Sequence, residues 1–379
     1  VLQAPVRLLF ALRPQVPAGV LSATAVSTVV FAATPFLVKG VAVDQDVDVA
    51  TVGLISTAQL GGFMLTSWGA GRFLRPRRRV MVTAVLAGFF ANLMSAFTPW
   101  FSLLVGVRLL SGVSLGLIAW IAWAEAFGDD EKVGDVAVIG PLVGVVSAPI
   151  IATVIDVSGS DLLFVILAVL QLVPLLFVRE MRLEAAVRER RRRHRPTRAA
   201  AAILACLGTI TLGGSAVFVF AGVIGQDDVG LSPIVVALVF SANSLASVPS
   251  ARYRGERRLP GLWMTLTGAS AFTIGAIQHP VAFWIALPVW GFCFWMGIPG
   301  AFRLLAERSR YPDERAGDAQ AIMAAGRVVG PLLGGALYAG SAIWLGVIGG
   351  AIMAVAGLAM VWVEWRIHPE VLSDLVRAT

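Results

Sequence analysis

From position 179 the chain reads Arg179-Glu-Met-Arg-Leu-Glu-Ala-Ala-Val-Arg188-Glu-Arg-Arg-Arg-Arg-His194-Arg-Pro-Thr-Arg198, nine arginines in twenty residues. Long apolar runs flank it, near 161–179 and 199–224. A basic run in a soluble protein binds nucleic acid or anionic lipid. Between two apolar runs, close to the middle of the chain, it reads instead as a cytoplasmic linker joining two membrane-embedded halves.

The rest of the sequence agrees with that reading. Of 379 residues, 58% are hydrophobic and 14% charged, whereas a soluble chain carries about 45–50% apolar and ~25% charged residues. These proportions exclude an ordinary soluble enzyme and a disordered chain, and nucleic acid is not expected as a partner. With about 20 apolar residues per span, the length holds a dozen spans and no sizeable soluble domain. Twelve apolar runs are found, near 17–38, 50–71, 80–98, 100–125, 136–156, 161–179, 199–224, 231–251, 260–278, 281–305, 318–340 and 342–364. The first exceeds the roughly 7–15 residues of a signal-peptide core and is read as a retained helix. Of the 30 Lys and Arg, 27 fall in alternate connections or at the termini, on one side; the opposite connections hold Asp44, Asp46, Asp48, Asp161, Asp227 and Asp228. Positive charge collects on the cytoplasmic side. The expectation is a multi-pass protein of the cytoplasmic membrane with both termini inside.

An internal repeat relates the two halves. Glu125 and Glu307 lie 182 residues apart, and Gly144-Val-Val-Ser-Ala148-Pro149 matches Gly326-Arg-Val-Val-Gly330-Pro331 at the same offset. Glu131-Lys-Val-Gly-Asp135 echoes Glu314-Arg-Ala-Gly-Asp318, and Ser56-Thr-Ala-Gln-Leu60 resembles Ser241-Ala-Asn-Ser-Leu245. The expected architecture is all-helical, with twelve transmembrane helices in two pseudo-symmetric six-helix bundles. These cover 1–179 and 199–379, with the linker at 180–198. Parallel repeats of this kind are related by an axis along the membrane normal.

Three motifs resemble those of the major facilitator superfamily of secondary transporters. Leu104-Val-Gly-Val-Arg108-Leu-Leu-Ser111-Gly112-Val-Ser-Leu-Gly116 matches its Arg-and-glycine motif in the fourth span. Gly140-x3-Gly144-x3-Ala148-Pro149 is similar to the glycine-proline pattern of antiporting members. Gly69-Ala-Gly-Arg-Phe73-Leu-Arg-Pro76-Arg77-Arg78 resembles the signature loop, with Phe73 in place of its acidic residue. The resemblance implies alternating access around a midplane site, with Gly69, Arg77, Arg78, Gly112, Gly144, Pro149, Gly330 and Pro331 as gating or hinge positions. Independently, small residues four apart let helix backbones approach closely. Such stripes occur at Gly140, Gly144 and Ala148, and at Gly326, Gly330 and Gly334. The alternative for both is static packing.

Three basic residues fall within spans. Lys39 lies at the outer end of the first and is expected to snorkel to the headgroups. Arg108 and Arg327 lie deep, whereas all 23 Asp and Glu fall in loops or at span ends. Helix carbonyls with Gln59 or Asn243 could satisfy the two guanidiniums; alternatively, an anionic group on the substrate completes the pairing. Gln59 and Asn243 are accordingly candidate site residues. Trp120, Trp123, Trp290, Phe294 and Trp295 lie on the fourth and tenth spans, which line the cavity in the family resembled. They suit a flat organic substrate or pack against neighbouring helices. On the eleventh span Gln320, Arg327, Gly334 and Tyr338 recur within about 20° of one face at 100° per residue, the expected cavity lining.

The expectation is a secondary transporter, a monomer, exporting a small organic anion or amphipathic metabolite. One competitor is a proton-coupled drug antiporter using Glu125 or Asp156; another is a transport-dead sensor of the same fold. An intramembrane enzyme would need converging His, Asp or Ser groups at depth, which the sequence lacks. No cofactor or metal is expected, since the three histidines are scattered and the chain carries no Gly-x-x-x-x-Gly-Lys-Ser/Thr phosphate loop.

Overall fold

A computed structural model describes residues 16–126, 130–180, 194–253 and 255–366, and among them no strand occurs. Most of the linker lies outside the described residues. Among the described residues nine helices are long and apolar enough to cross a membrane, and a bent pair makes a tenth. That pair is α1, Ala18–Ala32 and Thr34–Asp44, bent by 51°. Pro35 opens its second limb and has no N–H for the preceding turn, which accounts for the bend.

Next come α2 (Val49–Phe73), α3 (Arg78–Ala96) and α4 (Phe101–Ala126). The 42 residues Asp130–Gln171 form two spans, not one. At 1.5 Å per residue they would reach about twice the ~30 Å hydrocarbon core. Gly159, at φ 77° and ψ −179°, breaks them into α5 (130–158) and α6 (160–171, extended by Val173–Leu176). Only glycine takes that backbone conformation without strain. Asp44, at the end of α1, holds the turn by accepting from the Ser160 N–H at 3.1 Å and from its hydroxyl.

The second half comprises α7 (Arg198–Val223, continued by a π turn Ile224–Asp228), α8 (Pro233–Arg252), α9 (Pro260–Ala276), α10 (Pro280–Glu307), α11 (Pro312–Tyr338) and α12 (Ala342–Arg366). The 17-residue α9 completes the twelve. Four of these helices open on proline, whose missing N–H costs nothing at a first position. Thr197 caps α7 by accepting from the Ala200 N–H at 3.1 Å.

Within each half the helices close on one another at glycines, as expected where lipid removes the hydrophobic drive between them. A Cβ on Gly112 of α4 would sit 1.9 Å from the Gln59 carbonyl oxygen of α2. Cβ atoms on Gly326, Gly330 and Gly334 of α11 would meet the carbonyls of Gly208, Leu212 and Ala216 of α7 at 2.5, 2.7 and 2.5 Å. That stripe is a seam inside the second half.

Contacts between the halves gather towards the face that carries the acidic loops. Pro35 backs onto Gly222, Ala50 onto Gly335, and the Pro331 carbonyl lies 2.8 Å from a Cβ on Gly53. Near mid-height the Ser241 hydroxyl donates to the Val145 carbonyl at 2.8 Å, and Gly144 faces the Ser244 hydroxyl. One turn nearer the basic face, a Cβ on Gly140 would meet nothing within 4 Å. Among the described residues the halves meet on the acidic face and near mid-height, and Gly140 faces open space towards the basic face.

Candidate functional site

The two deep arginines have opposite surroundings. Arg108 is 0% exposed. Gln59 Oε1 accepts from its Nε at 3.1 Å and from Nη2 at 2.5 Å, Asn92 Oδ1 from Nη1 at 2.9 Å, and Ser95 lies 3.5 Å from Nη1. The Phe164 ring covers the guanidinium at 5.2 Å. α2, α3, α4 and α6 thus build a polar pocket around it inside the first half. Arg108 does not face the space between the halves, which removes it as a direct substrate contact. Gln59 supplies one of its partners; Asn92, Ser95 and Phe164 were not expected. Asn92 and Ser95 share a face of α3 with no charge pattern to mark them. Asn243 is not drawn to an arginine: its Nδ2 donates to the Leu287 carbonyl at 2.6 Å, tying α8 to α10.

Arg327 sits near the middle of α11 and is half-buried. Its guanidinium has no hydrogen-bond or ion-pair partner among the described residues; Ser215 donates only to its backbone carbonyl, at 3.1 Å. Exposed Ile322, Val329 and Leu332 mark the lipid side of α11. At 100° per residue Arg327 lies about 140–200° from each of them, so it faces the protein interior. The halves meet beside it, where a Cβ on Gly61 would touch Val328 at 4.0 Å. Of the other residues expected on its face, Gln320 is exposed towards the basic face. Gly334 is instead sealed into the α7 seam, and the Tyr338 hydroxyl donates to Asp228 at 3.2 Å within the second half, at its acidic end. Of the four residues expected on this face, Gln320 and Arg327 are the two that neither the seam nor a side-chain hydrogen bond among the described residues takes up.

Above Arg327 the acidic face is plugged by rings. Phe36 of α1 meets Phe240 of α8 at 5.1 Å, Phe240 meets Phe218 at 5.4 Å, and Phe218 meets Trp290 at 5.7 Å. Lys39 does not snorkel: its ammonium pairs with Asp227 across the halves. Length explains that miss, because α1 runs to Asp44 and places Lys39 inside the helix, opposite the end of α7. Trp290 is buried in this plug, and Phe294 is partly buried on the next turn of α10. Trp120 packs with Val20, Met81 and their neighbours inside the first half, and Trp123 is 48% exposed.

The remaining motif positions divide by role. Gly112 and Gly330 are seam residues within halves; Gly144 and Pro331 touch the opposite half. Pro149 lies in α5 one turn beyond, partly buried. Gly69 has open space before it, and Arg77 and Arg78 are exposed at the start of α3. Glu125 ends α4 at the basic face, and Asp156 is exposed at the acidic end of α5. Neither lies near Arg327 in depth. Among the described residues no group of three or more His, Cys, Asp or Glu could hold a metal ion.

Comparison with known proteins places this arrangement. The profile described as Major Facilitator Superfamily matches residues 18–327. No curated protein sequence matches the chain. Among solved structures, the nucleoside transporter NupG aligns with a TM-score of 0.67 at 13% identity, over 91% of this chain and 99% of that one. The human organic anion transporter MFSD10 (TETRAN) aligns at 0.65 and 13%, over 90% and 97%. An auto-inhibited POT family peptide transporter aligns at 0.72 and 13%, over 92% and 96%. At such identity these likenesses speak to the fold.

Proposed function

The chain belongs to the Major Facilitator Superfamily, and from that premise we propose that it moves a small organic anion, or an amphipathic metabolite with an anionic group, using Arg327 as the anchor. It is a membrane-embedded secondary transporter with a small-molecule substrate. In such proteins two bundles rock around a midplane site.

One observation carries the anion. A cation at mid-membrane is costly unless paired or wet, and the Arg327 guanidinium faces inward without a partner among the described residues. A substrate carboxylate would complete a bidentate pair there. Phe294 and Phe302 on α10 and Phe31 and Phe63 on α1 and α2, partly buried against the core, are the proposed apolar lining for the rest of the ligand. The positive-inside rule makes the basic face cytoplasmic, so loading occurs from the cytoplasm. Export is the proposed direction, in keeping with the span-five resemblance to antiporting members. The protein acts as a monomer. The proton-coupled drug antiporter gains no observation, since Glu125 and Asp156 stand at helix ends.

The test is counterflow in liposomes containing the purified protein. Labelled benzoate should accumulate in vesicles preloaded with unlabelled benzoate, and benzamide should not. Accumulation of a hydrophobic amine with none of benzoate would overturn the reading. Binding of benzoate without any flux would instead identify a sensor.

A further inference from the structure

We propose that the first half holds a resident monovalent anion of chloride size beside Arg108, a site separate from Arg327 and independent of the reading above. The Arg108 guanidinium is fully buried, and no Asp or Glu among the described residues pairs with it. Its partners Gln59, Asn92 and Ser95 are neutral. Their oxygens disperse the charge but leave one net positive charge enclosed, which is expensive in a low-dielectric interior.

The same side chains supply donors for a counter-ion. The Gln59 and Asn92 amides both turn their oxygen to the guanidinium. Each NH2 group, two bonds from that oxygen, therefore lies beside the cation. Gln59 Nε2 and Asn92 Nδ2 have no hydrogen-bond partner among the described residues. Nor do the hydroxyls of Ser56, one turn before Gln59 on α2, and Ser111, one turn after Arg108 on α4. All four residues are at most 4% exposed. Buried polar groups left unpaired are uncommon, and here four sit on the helices that enclose one uncompensated cation. Water would satisfy the donors and leave the charge; a small anion answers both. The bundle itself does not require a buried cation. At the 182-residue offset of the internal repeat, Trp290 takes the place of Arg108 in the second half. Every proposed ligand belongs to the first half, so the anion stays with that half during alternation and is not transported.

The experiment measures thermal unfolding of the purified protein in sodium gluconate, with chloride replacing gluconate at constant sodium. A ligand that binds the folded state raises the unfolding temperature and saturates. Wild type and Arg327→Gln should both show that saturating rise; in Arg327→Gln neither anion can pair at position 327. Asn92→Asp places a carboxylate beside Arg108 in the role of the ion. It should unfold in gluconate no lower than chloride-loaded wild type and gain nothing from added chloride. Equal unfolding temperatures of wild type in chloride and gluconate would overturn the proposal. So would a chloride response that Arg327→Gln abolishes, which places the anion between the halves, or one that Asn92→Asp leaves intact. Asn92→Asp less stable than wild type in gluconate would also contradict it, since the pocket would then reject the negative charge it is proposed to hold.

Discussion

Arg108 and Arg327 look alike in sequence, each an arginine deep in a span with no carboxylate nearby, and the structure gives them different surroundings. Charge and depth were legible; partners were not, because Asn92 and Ser95 approach Arg108 from α3 and are invisible to spacing along α4. Their consequences should separate. Asn92→Leu removes an acceptor from a fully buried guanidinium, and a hydrogen bond to a charged group is worth about 1.5–3 kcal/mol. Thermal unfolding should show a loss of that size, with benzoate affinity unchanged in the protein that remains folded. A loss of affinity with stability intact would return Arg108 to the substrate site.

At the scale of elements, the twelve spans and their glycine stripes could be read from hydropathy and period. The partners of the stripes could not. Gly326, Gly330 and Gly334 bind α11 to α7 within one half, whereas the similar stripe of α5 meets the other half at Gly144 and open space at Gly140. Spacing four apart announces close approach without saying to what. Gly330→Leu should lower stability and flux far more than Leu333→Ala, since the added side chain meets Leu212, Ser215 and Ala216 within about 3 Å of its first carbon. Wild-type flux in both variants would mean that the seam is loose. α5 should tolerate Gly140→Ala in the state described here and resist it once the basic face closes. That predicts a population shift towards this state, readable from cysteine accessibility at the basic face.

For the whole molecule, the charge pattern named the two faces and the resemblance named the architecture, but only the three-dimensional structure shows on which face the halves meet. The Lys39–Asp227 pair and the ring plug from Phe36 to Trp290 hold the acidic face shut. Both members of the ion pair are about 40% exposed, so the pair contributes at most ~1 kcal/mol. Asp227→Asn should shift the population towards opening on that face by no more than about fivefold, seen as faster labelling of a cysteine at Phe240. A complete switch would mean that the rings contribute little. Topology is checked by impermeant labelling of intact cells, which should reach a cysteine at Asp227 and miss one at Arg258. The central claim, that a deep cation with no partner among the described residues selects an anion, is tested most directly by measuring the affinities of benzoate and benzamide in wild type and in Arg327→Gln. Loss of one charge-assisted pair should weaken benzoate about tenfold or more and leave benzamide unchanged. Equal weakening of both ligands, or of neither, would contradict it.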